Sequence, residues 1–112
     1  MSHVVEVIII TSASDDDKEK WNELNRLFQT DEKLNPIDHK SKLVEMHEHM
    51  GSASKVCQST IYAGAFNYLH YEELWRVIDK ISWERPECLQ IFIRDEELPY
   101  FELKKRGDQQ GG

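Results

Sequence analysis

The order in which apolar patterns change period along this chain constrains its fold more than any single motif. A β-branched run, Val4–Thr11, comes first, followed by helical spacing over Asp15–Phe28. Two alternating runs come next, Leu43–Met50 and Val56–Phe66, then a second helical stretch, Tyr71–Ile81, and a short alternating run, Leu89–Arg94. A period of two marks a strand with one buried face, and a period of about 3.6 marks a helix with one buried stripe. At 112 residues, these segments fit one domain around one core.

The succession strand–helix–strand–strand–helix–strand predicts an α+β two-layer sandwich of the ferredoxin-like βαββαβ type, with an antiparallel sheet and both helices on one side. Tyr100–Lys104 predicts an extra C-terminal edge strand, because Pro99 before it and Lys104–Lys105 at its end suit an unpaired sheet edge. Residues 1–105 are expected to form a single domain and residues 106–112, RGDQQGG, a disordered tail. Such a sandwich hosts many unrelated activities, so function has to be argued from side chains.

Segment by segment, VVEVIIIT is apolar on both faces, which predicts a central strand buried on both sides. Ser14 and Asp15–Asp17 suit the cap and positive dipole end of the first helix, whose apolar stripe is Trp21, Leu24, Leu27 and Phe28. The polar connector Thr30–Ser41 is expected to be anchored by Leu34 and Ile37. In the second strand Val44, Met46 and Met50 face one way and Glu45, His47 and His49 the other. In the third, Cys57, Ser59, Ile61, Ala63 and Ala65 share one face, and Val56, Gln58, Thr60, Tyr62, Gly64 and Phe66 share the opposite one. The second helix buries Leu74, Val77, Ile78 and Ile81, and the fourth strand turns Leu89, Ile91 and Ile93 inward. Cys57 and Cys88 are expected on strands, as reduced, partly buried thiols.

Charge narrows the function classes. With 21 acidic residues against 14 basic ones, the net charge is −7, which disfavours direct nucleic-acid binding and anionic membranes. No apolar stretch approaches the ~18 residues of a membrane span, and no secretion signal is visible, so a cytoplasmic location is expected. Glycine-rich phosphate loops, GxSxG, HExxH and CxxC patterns are absent.

Four constellations carry possible chemistry. His47 and His49 share a strand face and, with His39 from the connector, could ligate a divalent transition metal. Tyr62 and Phe66, placed with Glu45, His47 and His49, are expected on the open sheet face as a contact surface, which two copies could also hide by pairing as a homodimer. His70 between Tyr68 and Tyr71 has the position of a general base, without an evident partner acid or nucleophile. Asp95, Glu96 and Glu97, beside Tyr100, form an acidic surface suited to a basic protein partner.

The expectation is therefore a small acidic interaction protein without a cofactor, an inhibitor or accessory factor of the style found in phage or bacterial loci. It would bind a protein partner through the open sheet face or the acidic C-terminal surface. The alternative is a small metal-dependent or cofactor-free enzyme built on His47 and His49.

Overall fold

The computed structural model describes residues 3–11, 18–46, 60–83 and 86–104. Its elements in chain order are β1 (Val4–Thr11), α1 (Lys18–Thr30), β2 (Val44–Glu45), β3 (Thr60–Asn67), a 3₁₀ turn (Tyr71–Glu73) running into α2 (Leu74–Ile78), a second 3₁₀ turn (Pro86–Cys88), β4 (Leu89–Asp95) and β5 (Glu102–Lys104). The strands form one sheet in the order β2-β3-β1-β4-β5, each neighbouring pair antiparallel. The α+β class, the antiparallel sheet and the two helices agree with the sequence. The five-strand order departs from a four-strand ferredoxin-like sheet, because β5 extends the sheet beyond β4.

β1 is central, as its composition demands, with β3 on one side and β4 on the other. Its burial alternates: Val5, Val7, Ile9 and Thr11 are buried, and Val4, Glu6, Ile8 and Ile10 are only half-buried. Expected burial on both faces is thus corrected to burial on one. The reason is visible in the core, where Val5, Val7, Ile9, Ile91 and Ile93 join the helix residues Trp21, Leu24, Phe28, Leu74, Val77 and Ile78 in a single cluster. Both helices lie on that side of the sheet and supply its apolar cover.

Aromatic stacking sets the spacing of the two layers. Trp21 of α1 stacks on Tyr62 of β3 with ring centroids 3.8 Å apart, and Phe28 stacks on Phe66 at 4.4 Å. Trp83 meets Trp21 edge-on at 4.9 Å and donates its indole N–H to the carbonyl of Ile78 at 2.9 Å. The same carbonyl also accepts the Ile81 N–H at 3.0 Å, so both bonds close the end of α2, which is shorter than the Tyr71–Ile81 pattern suggested.

The connector after α1 is fixed by short polar side chains. Asp31 accepts from the backbone N–H groups of Lys33 and Leu34 and from both Arg76 and Lys80 of the α2 region. Burial raises the Asp31 carboxyl, but Arg76, the Leu34 N–H and Lys80 outweigh it and hold the group at about 2. Asn35 is fully buried and donates to the carbonyls of Phe28 and Asp38. Asp38 in turn accepts from Ser41 and from the N–H of Asn67, tying the connector to the end of β3. Leu34 is buried as expected, whereas Ile37 is 62% exposed and anchors nothing.

The connector then passes close beneath β3. An added Cβ on Gly64 would sit 2.6 Å from the backbone oxygen of Lys42 and 3.2 Å from the Phe66 ring. Gly64 is the residue that lets this crossing happen. Cys88 lies in the 3₁₀ turn ahead of β4, half-buried, not on a strand; Cys57, the Ser14–Asp17 cap and residues 106–112 lie outside the described residues.

Candidate interaction surface

The cross-strand register identifies the residues on the sheet's other side. Ile8 is opposite Ala63 of β3 and Phe92 of β4; Ala63 is opposite Val44 of β2; Phe92 is opposite Leu103 of β5. Residues opposite one another in a sheet share a face. Val44, Ala63, Ile8, Phe92 and Leu103 therefore form one apolar row across all five strands. A parallel row holds Ile61, Ile10 and Gln90, with Met46 bonded through its N–H to the Ile61 carbonyl at its end.

No described helix covers these rows. Val44 is 55% exposed, Met46 49% and Leu103 40%. Large apolar side chains that are grouped and exposed, rather than scattered, mark contact surfaces. The strand residues bounding the patch at its far end are Ala65, Glu6 and Arg94. Arg94 holds Glu6 with two guanidinium nitrogens, at 3.0 and 3.4 Å, and also donates to the Leu98 carbonyl at 2.7 Å. The described charges on this face thus cancel within the chain.

Tyr62 and Phe66 are not part of that surface. Only 7% and 1% of them is exposed, and they lie beneath α1. Glu45 is paired with Tyr62, as alternation required, but the pair faces the helices; the Tyr62 hydroxyl donates to Glu45 at 3.4 Å. The pairing of faces was legible and their direction was inverted. Alternation has a period of two, so choosing the wrong side moves every residue of a strand at once. The bulky rings went inward because Trp21 and Phe28 needed stacking partners, which leaves the small residues Ala63 and Ala65 outside.

The acidic candidates are partly engaged. Asp95 bonds His3 at 2.7 Å and accepts from the N–H of Glu97. Glu96 accepts from the N–H of Val4 at 2.6 Å. Asp95 raises the His3 imidazole above its ordinary value, mainly through that hydrogen bond. Asp95 and Glu96 therefore fasten the start of β1 to the end of β4. Glu97 and Tyr100 are exposed nearby.

His39 is exposed in the connector, while His47 and His49 lie outside the described residues. Among the described residues no group of three His, Cys, Asp or Glu side chains converges as a metal site. His70 is exposed, its Nδ1 3.2 Å from the Lys33 carbonyl, at the rim of an open hollow shared with Glu32, Lys33, Glu72 and Glu73. No described helix is long and apolar enough to cross a membrane.

No protein-family model, curated protein or solved structure matches this chain. Its own geometry is what a functional reading can rest on.

Val44, Met46, Phe92 and Leu103 are the surface residues that sequence reasoning missed. A signal for them was present. VVEVIIIT is apolar on both faces, and Phe92 interrupts the inward series Leu89, Ile91, Ile93 with a ring that must point the other way.

Proposed function

We propose that this protein is a non-enzymatic interaction module that binds a protein through the bare face of its sheet. Its frame is read as ferredoxin-like, with β5 appended outside β4. The observation that carries the reading is the apolar row from Val44 to Leu103, five strands wide and free of helical cover among the described residues.

Alternative docking modes have less support. Strand addition needs a long free edge, but the described edge strands are two residues, Val44–Glu45, and three residues, Glu102–Lys104. The acidic corner offers less free charge than its sequence implies, since Asp95 and Glu96 already serve His3 and Val4. A partner is therefore read as apolar and close to neutral where it touches the sheet, with Glu97 and Tyr100 at the rim.

Site-specific photo-cross-linking tests the reading. A photoreactive residue at Val44 or Leu103 is expected to yield discrete protein adducts in cells producing the protein. The same residue at Gln29, exposed on α1, is expected to yield none. Adducts from Gln29 and none from the bare face would overturn the reading.

A further inference from the structure

We propose that the occupant of the bare face is a second copy of this chain, held face to face about a two-fold axis running along β1. This rests on the reading of that face as a docking surface and names its partner.

Three observations support a second copy. First, β1 is written for burial on both faces, and the described helices cover one. Second, the chain carries a net charge of −7, yet the described strand residues on the bare face carry only the internally neutralised pair Glu6–Arg94. A basic partner would find no net charge to read there, whereas a like-charged copy would meet no repulsion at the centre of contact. Third, the central row is self-complementary. Rotation about β1 exchanges the β3 and β4 sides, so each Phe92 ring falls over Ala63 of the second copy. Leu103 falls over Val44, and Ile8 meets Ile8 at the axis. Apolar residues face apolar ones throughout that row, and the bulkiest, Phe92, faces the smallest, Ala63, which makes the patch its own complement, as isologous contacts require. An axis along the strands also keeps the two sheets within the roughly 30° at which such layers pack.

The available area is modest. With strands about 4.8 Å apart and residues about 3.3 Å apart along them, the three central strands over Glu6–Ile10 together with the short β2 and β5 span about 300 Å² of plane per copy. Two copies then bury about 600 Å² before side-chain relief is counted, below the roughly 1,000 Å² expected of a stable specific interface and in the range of a weak, transient contact. The pair is therefore a weak, reversible dimer.

Sedimentation equilibrium of the full chain tests this across concentration and salt. The expected result is a monomer–dimer equilibrium that stops at two copies and tightens several-fold between low and high salt, because salt screens repulsion between acidic rims. Leu103→Lys and Val44→Glu, both at exposed positions, are each expected to weaken the dimer at least tenfold with an unchanged circular dichroism spectrum. Mixing the two variants is expected to restore dimer, since Lys at 103 of one copy then faces Glu at 44 of the other. Failure of the mixture to recover would overturn the axis along β1. A chain that stays monomeric at millimolar concentration, or a dimer unaffected by either variant, would overturn the inference. If the chain is monomeric while Val44 cross-links to a different polypeptide, the docking surface stands and only its assigned occupant is wrong.

Discussion

The two faces of one sheet have the same backbone and very different fates. On the covered face, rings from β3 stack on rings from α1 and little of Phe66 or Ile9 reaches solvent. On the bare face, residues of equal hydrophobicity from the same strands remain half-buried or exposed. Burial is thus set by what lies across from a strand, and hydrophobicity alone does not decide which face will be covered. Substitutions on the covered face should be read out as stability, and those on the bare face as association.

Phe66→Ala should give the largest effect, about 3–5 kcal/mol of lost stability in denaturant unfolding, because it removes a fully buried ring and its stack with Phe28. Gly64→Ala should follow, at about 1–3 kcal/mol, as the new methyl meets the Lys42 carbonyl that the connector cannot easily withdraw. On the other face, Phe92→Ala should cost about 1 kcal/mol in the monomer, since its ring is only partly buried. If Phe92→Ala proved as costly as Phe66→Ala, the two faces would be equally buried and the contrast between them would fail.

Two titrations probe the polar ties of the covered layer. Asp31 has a carboxyl held at about 2, so its contribution is present above the ordinary carboxylate value of 3.8 and is lost as pH falls toward 2. Asp31→Asn should flatten the acid limb of the stability profile, and an unchanged limb would remove Asp31 as a contributor. His3 titrates above 6.5, so the opposite sign applies: its bond to Asp95 stabilises fully below that value and weakens as pH rises through the raised one. NMR titration should return the His3 midpoint toward 6.5 in Asp95→Asn. This is the smallest effect expected, as both side chains are partly exposed.

Much of this contrast was legible in the sequence. The order of periods located β1, α1, β3 and β4, and alternation in LQIFIR assigned Leu89, Ile91 and Ile93 inward. The C-terminal edge strand was signalled by Pro99 and by the lysines at its end. What alternation could not give was direction. Glu45, Tyr62 and Phe66 were correctly grouped, but only the stacking needs of Trp21 and Phe28, which join residues distant in sequence, decide that this group turns toward the helices. The engagement of Asp95 and Glu96 was hidden for the same reason, since their partners His3 and Val4 lie at the other end of the chain. The candidate metal residues His47 and His49 lie outside the described residues, and His39 stands exposed.

Hydroxyl-radical footprinting of dilute and concentrated protein tests the two-faced sheet most directly. In dilute protein, Met46 and Phe92 should label strongly while Tyr62 and Phe66 stay protected; on concentration, Met46 and Phe92 should become protected together. Labelling of Tyr62 and Phe66 with protection of Phe92 at every concentration would show that the sheet's open side has been assigned the wrong way round.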